Sequence, residues 1–459
     1  MKRLWIWLGS VSLLVYLIMT LDFFQSLSQD QQFTLIILGL AIYLWTVAPI
    51  PSGASSILIL ALMIGLGVVE QDEDAFRGFL SPALYFIVLL SLISQVLVKV
   101  QFDQVVAQLF QKISKGKVQR ILIGLPLLLL VLPIFLPSAM ARYKLLYPLV
   151  SKINDLYRYK SDSLFKKFGL YIISFFNQHA TLIIFTGGGF SVFAYQLMVE
   201  YGVGRLSWLE WFTLLSIPLW TAMILSAIVV FIFLKWKTNE SVMVNASIIQ
   251  NQNQEKVNKH QQFRPTITAF FIMIIAWLIT DPNVVPIIIP PMLLFVFLSL
   301  PQIGLVDSRL IKDFDWESFL LLGTSFSLGL VLSDNGTAQL IAEGLSALMP
   351  TDAQALWLVI CVVFFIWILR LLFTNSSSAI AVVFPIMISY AEIIHVSPLA
   401  LSALMVMVIG GTLIIPIHSP STFYASLEGV LTKSEMIMTG IISSIMMSVV
   451  AIAAVFLYW

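Results

Sequence analysis

The sequence predicts an all-α, polytopic membrane protein built as an inverted-topology repeat with two re-entrant hairpins. Three observations carry this: hydropathy, the placement of basic residues, and an internal self-similarity. Of 459 residues, 59% are hydrophobic and only 11% are charged. A soluble chain of this length needs far more polar surface. Apolar runs recur at 4–20, 33–49, 54–69, 82–98, 121–135, 168–185, 208–234, 266–280, 284–300, 318–333, 355–369, 378–391, 398–417 and 436–458. Each approaches the roughly 20 apolar residues that cross a bilayer. They are continuous and rich in Leu and Ile, without the alternation of a membrane β-barrel. The net charge of +1 points to no nucleic-acid partner. The single cysteine, Cys361, excludes a disulfide framework within the chain and a cysteine metal cluster.

Basic residues set the orientation. Of the 25 Lys and Arg, 17 lie at the N-terminus and in the segments 99–120, 152–167 and 235–264. Such segments stay cytoplasmic, whereas 21–32, 70–76 and 334–353 are acidic or neutral, have no Lys or Arg, and are placed outside. The path then closes from a cytoplasmic N-terminus. The apolar run behind Met1-Lys2-Arg3 has no small-residue cleavage pattern after it, so 1–32 reads as a first transmembrane helix.

Repeat 1 is expected over 33–235. Within it, 121–150 leaves one basic segment and returns to another, with Pro133, Pro137 and Ser138 between its two arms. That is the pattern of a re-entrant hairpin, whose irregular tip survives at membrane depth only against protein or a wet cavity. The polar stretch 236–264, rich in Asn and Gln, reads as a flexible cytoplasmic linker. Repeat 2 follows over 265–459, with a second hairpin at 355–391. FLPSAMARYKLLYPLV (135–150) aligns with LFTNSSSAIAVVFPIM (372–387), and TLIIFTGGGFSVFAY (181–195) with TLIIPIHSPSTFYAS (412–426). The linkers preceding the two hairpins differ in charge, basic at 99–120 and acidic at 334–353, so the repeats are inverted. Inverted repeats with broken helices near the midplane are an architecture of secondary transporters.

Each repeat then carries two breaks. The first has Pro137-Ser138-Ala139 and Thr186-Gly187-Gly188-Gly189; the second has 374–378 and Ile417-His418-Ser419-Pro420-Ser421-Thr422. A helix that stops inside the membrane exposes unpaired N–H and C=O groups. Its N-terminal end attracts anions, and unwound carbonyls with hydroxyl oxygens coordinate a small cation. Ser138, Asn375, Ser376, Ser377, His418 and Ser421 are therefore candidate substrate contacts. Arg142 joins them because it stands about one turn beyond Ser138, and a guanidinium matches a carboxylate bidentately; its alternatives are an ion pair with Glu210 or another intramembrane acid, and snorkelling into the cytoplasmic opening. Arg370, shortly before the second tip, is open to substrate contact or to bracing its hairpin. His418 and His179 could carry a proton or simply be structural. Trp208, Trp211, Tyr458 and Trp459 read as interfacial anchors.

At these residues the chain resembles the divalent anion:sodium symporter family, the dicarboxylate, citrate and sulfate carriers of the ion-transporter superfamily. PSAMAR resembles the PSTTAR of plastid 2-oxoglutarate/malate carriers, and IPIHSPST the family's proline-rich break. The family commonly has Ser-Asn-Thr at both tips; here the first is Pro-Ser-Ala, and the second, Thr-Asn-Ser, keeps Asn375. The resemblance implies cation-coupled symport of a small di- or tricarboxylate or sulfate, with sodium as coupling ion and no cofactor. It implies sodium sites drawn from Ser138, Gly187, Gly188, Asn375, Ser376 and Ser419. It also implies about 11 transmembrane helices plus the two re-entrant hairpins, a homodimer and an elevator mechanism, with a scaffold of about 1–118 and 236–352 and a transport domain of about 119–235 and 353–459. A bacterial inner membrane is the expected location. The alternatives are a proton-coupled or exchange carrier and an anion-binding receptor. An intramembrane serine hydrolase has no matching base and oxyanion arrangement and is set aside.

Overall fold

The computed structural model describes residues 27–46, 50–102, 104–106, 108, 118–136, 138–238, 261–347, 354–371, 373, 376–391 and 396–459. The expected first helix falls mostly outside these residues, as does most of the linker 236–264. All regular structure described is helical. In chain order the helices are α1 (Gln29–Thr46), α2 (Ser52–Gly65), α3 (Pro82–Lys99), α4 (Val118–Phe135), α5 (Ala139–Leu156), α6 (Leu164–Tyr171) and α7 (Asn177–Ala180). There follow α8 (Gly189–Glu200), α9 (Trp208–Thr238), α10 (Phe263–Ile279), α11 (Ile289–Ser299), α12 (Ser308–Lys312) and α13 (Trp316–Asp334). The last are α14 (Thr337–Ala347), α15 (Ala355–Leu371), α16 (Ser376–Tyr390), α17 (Pro398–Gly411), α18 (Pro420–Leu427) and α19 (Lys433–Leu457). Among them α3, α4, α9, α13 and α19 are long and apolar enough to cross a membrane, and six shorter apolar helices accompany them. The chain is a multi-pass membrane protein.

The described chain forms two compact units, and each draws on both sequence halves. The first comprises Met1–Leu84, Gln196–Val203 and Asp315–Met405. Its axis is α13, buried continuously from Leu321 to Leu332. The 3-10 segment Asp72–Leu80 lies against α13, where the Gly78 amide donates to Ser327 Oγ at 2.9 Å. Arg77 pairs with Asp334 at 2.5 Å on the surface. The other side of α13 packs against α16, the second arm of the hairpin expected at 355–391.

The second unit comprises Tyr85–Tyr195, Gly204–Phe314 and Val406–Trp459. Here α9, 31 residues long, packs along α19. Their ends are tied by Tyr458 Oη donating to the Thr213 carbonyl at 2.5 Å and Trp459 Nε1 to the Leu214 carbonyl at 2.8 Å. These two residues, expected as membrane anchors, thus also fasten the C-terminus. A buried ion pair joins α6 to α19: Lys167 Nζ lies 2.8 Å from Glu435 Oε1, with side chains 7% and 2% exposed. The hairpin expected at 121–150 consists of α4 and α5, somewhat longer than the sequence boundaries. Pro126 and Pro133 sit inside α4 and remove two ladder donors.

Candidate functional site

The turn between α4 and α5 is closed by its own chemistry. Ser138 has extended backbone and caps α5, its Oγ accepting from the Ala141 amide at 3.2 Å. One turn on, Arg142 is fully buried. Its Nε donates to Asn177 Oδ1 at 2.6 Å, its Nη2 to the Asn177 carbonyl at 3.2 Å, and its Nη1 to the Leu136 carbonyl. Asn177 Nδ2 donates in turn to the Ala139 carbonyl at 2.8 Å. The pair therefore holds both flanks of the tip against α7. Arg142 makes no ion pair with Glu210, which instead accepts from the Ser207 amide at the start of α9.

Behind Asn177 the helix is irregular. A π-helical turn, Ile172–Phe176, joins α6 to α7. Such turns shift backbone partners and recur at functional sites. After α7 the chain runs through the 3-10 turn Thr181–Ile183, extended Ile184, a second 3-10 turn Phe185–Gly187, and extended Gly188 into α8. Gly187 is required here: a Cβ would lie 2.5 Å from the Thr181 carbonyl oxygen. Ser191 Oγ donates to that oxygen at 3.0 Å.

Trp208 and Trp211 correct the expectation of interfacial anchors. Both are buried. Trp208 Nε1 donates to Thr186 Oγ1 at 3.2 Å, and Trp211 Nε1 to the Leu182 carbonyl at 3.1 Å. They satisfy groups that the break withdraws from the helical ladder.

The aligned stretch in the second half has the same local order. The helix α17 ends at Gly411, the chain passes through the 3-10 turn Pro416–His418, and extended Ser419 caps α18. Ser419 Oγ accepts from the Thr422 amide at 3.2 Å and lies 3.2 Å from Ser421 Oγ and 2.8 Å from Thr422 Oγ1. All three hydroxyls are buried. Ser421 Oγ donates to the Ser174 carbonyl in the π turn at 3.1 Å. His179 Nε2 is 3.1 Å from the Gly411 carbonyl oxygen. The two breaks are thus joined side by side. His418 is buried in its 3-10 turn.

Among the candidate residues, this second unit brings Ser419 and Ser421 into contact, and contains Ser138, Arg142, Gly187, Gly188 and His418. Ser376 and Ser377 are buried at the start of α16 in the first unit. There Arg370, also fully buried, donates from Nη1 to the Phe373 carbonyl at 2.6 Å and from Nη2 to Ser376 Oγ at 2.9 Å. Asn375 lies outside the described residues. Asn177 and Thr422 are the contributors that the sequence reading did not choose. Their signal was polarity inside apolar runs, shared with many serines and threonines that only bond the preceding turn.

Among the described residues, no cluster of three His, Cys, Asp or Glu side chains could hold a metal ion. A cation at the breaks would meet hydroxyl and carbonyl oxygens, which suit hard, weakly bound ions. An open groove of about 670 Å³ runs between Gln119–Leu127 on α4 and Ile224–Ile232 on α9, but its lining is almost wholly apolar, a surface for lipid rather than for an anion.

Comparison with known proteins fits this architecture. The sodium:sulfate symporter transmembrane region matches residues 2–459. The chain belongs to the sodium:sulfate symporter family. The YdaH transporter of Alcanivorax borkumensis, described as having an unusual topology, shares the fold with a TM-score of 0.52 at 14% identity, over 93% of this chain and 98% of that one. An uncharacterized transporter of Haemophilus influenzae is 24% identical over 145 residues. That match spans 32% of this chain and 31% of the relative.

Proposed function

We propose that the chain is a secondary active symporter that moves a small divalent anion, sulfate or a di- or tricarboxylate, with sodium as the driving ion. The observation that carries this reading is the junction of two helix breaks through Ser421 to Ser174 and His179 to Gly411. Breaks held this way place carbonyls, hydroxyls and helix starts in one buried neighbourhood, the chemistry that a coupled anion and cation require. Substrate contacts come from the tip around Ser138, from Ser376, Ser377 and the neighbouring Asn375, and from His418 and Ser421. Sodium is held by Ser138, Gly187, Gly188, Asn375, Ser376 and Ser419. The working form is a homodimer in a bacterial inner membrane with a cytoplasmic N-terminus. Movement is of the elevator kind, about 119–235 and 353–459 travelling against 1–118 and 236–352.

The test is uptake of labelled sulfate, succinate and citrate into proteoliposomes under imposed sodium or proton gradients, with Ser419→Ala beside the wild type. Sodium-driven uptake of at least one anion, reduced in Ser419→Ala, is expected. Uptake indifferent to both gradients would overturn symport. One observation favours a proton-coupled reading: the Nδ1 atom of fully buried His179 has no hydrogen-bond partner among the described residues. Uptake driven by protons alone and lost in His179→Gln would establish it.

A further inference from the structure

We infer that Arg142 sets the preference for doubly charged anions without touching the anion, by holding an unneutralised positive charge behind the first hairpin tip. The inference rests on the anion-transport reading above and adds a residue that decides selectivity. Three features of the geometry support it. Arg142 is fully buried, so no ligand reaches its guanidinium from solvent. Its three hydrogen bonds all end on neutral acceptors, the Leu136 and Asn177 carbonyls and Asn177 Oδ1. No carboxylate lies within ion-pair distance of it among the described residues.

A buried cation is ordinarily paired with an acid, because an unpaired one is costly to keep from water. Here dipoles solvate the charge but do not cancel it. The bond to Leu136, two residues before Ser138, places that charge inside the turn. Asn177 fixes it there by bonding the Ala139 carbonyl on the far flank of the tip. Arg142 is therefore a positioning residue with a field. The field grows in effect with ligand charge, whereas a purely mechanical brace would act alike on every ligand. In an effective dielectric of about 20 and at a separation of about 10 Å, one charge changes binding by roughly tenfold for each unit of charge on the ligand.

The experiment compares uptake of succinate with that of its monoamide, succinamate, which has similar shape but one charge fewer. Wild type, Arg142→Lys, Arg142→Gln and Asn177→Asp are measured in the same proteoliposomes, and the ratio of apparent KM values is read. Asn177→Asp keeps the arginine and sets a carboxylate where Oδ1 now lies 2.6 Å from Nε, while removing the Nδ2 donor to the Ala139 and Ile173 carbonyls, a mechanical change that by itself acts alike on both anions. The dianion preference should fall about tenfold in Asn177→Asp and Arg142→Gln, and Arg142→Lys should retain most of it. A structural role alone would lower kcat or expression and leave the ratio unchanged. An unchanged ratio in Asn177→Asp, with wild-type uptake intact, overturns this inference and leaves the transport reading standing. Absence of both uptake and binding of sulfate, succinate and citrate alike by the wild type overturns both. Should Arg142→Gln fail to fold, Asn177→Asp still decides the question.

Discussion

Removing one partner of the Lys167–Glu435 pair should reveal how strongly the second unit depends on a buried charge. The perturbation is Lys167→Met, which keeps an unbranched apolar chain of similar reach. In the native protein the two groups meet at 2.8 Å with almost no exposure. Glu435 also closes the capping box of α19: its Oε2 accepts from the Thr432 amide at 2.9 Å, while its own amide donates to Thr432 Oγ1 at 3.2 Å. Deleting the lysine leaves a buried carboxylate with only that cap as compensation, at a cost of about 3–5 kcal/mol. Adding Glu435→Gln removes the stranded charge and keeps an oxygen for the Thr432 amide. The double variant should therefore recover most of the loss and lie within about 1–2 kcal/mol of wild type. The assay is reversible unfolding in mixed micelles, analysed as a double-mutant cycle. Additive losses, or a cost below about 1 kcal/mol for Lys167→Met, would refute the reasoning, because either would mean that the carboxylate is already solvated.

Three further outcomes follow from close contacts. Gly440→Ala puts a Cβ 2.4 Å from the Leu413 carbonyl oxygen beside the second break, so unfolding should become easier by about 1–3 kcal/mol or more, whereas Gly344→Ala, with open space around its Cβ position, should be neutral or slightly stabilising in the same measurement. Trp211→Phe removes the donor to the Leu182 carbonyl and should cost about 1–3 kcal/mol of stability, a loss visible by the same unfolding method. Ser419→Ala removes the cap of α18 and should cost about 1 kcal/mol while lowering uptake by more than that stability loss explains, as checked by comparing transport per folded protein.

The helical membrane class was legible because long apolar runs admit few other solutions, and the breaks because Gly187, Gly188, Ser419 and Pro420 interrupt such runs. What those breaks touch was not legible. The partner of Ser421 is a carbonyl 247 positions away, exposed by a π turn that no residue type announces. Trp208 and Trp211 looked like anchors because composition places tryptophan near an interface but cannot say which helical face is buried. Arg142 showed its cost in the sequence but not its acceptors, since Leu136 and Asn177 Oδ1 become neighbours only once α4, α5 and α7 meet. Lys167 and Glu435 were invisible as a pair for the same reason, each lying near a helix start in its own segment.

The most direct test of the account is simultaneous measurement of labelled sodium and labelled dianion entering the same proteoliposomes. Sodium entry that requires the dianion, in a fixed ratio, with both fluxes falling together in Ser419→Ala, is the expected result. Dianion entry with no accompanying sodium flux would contradict it.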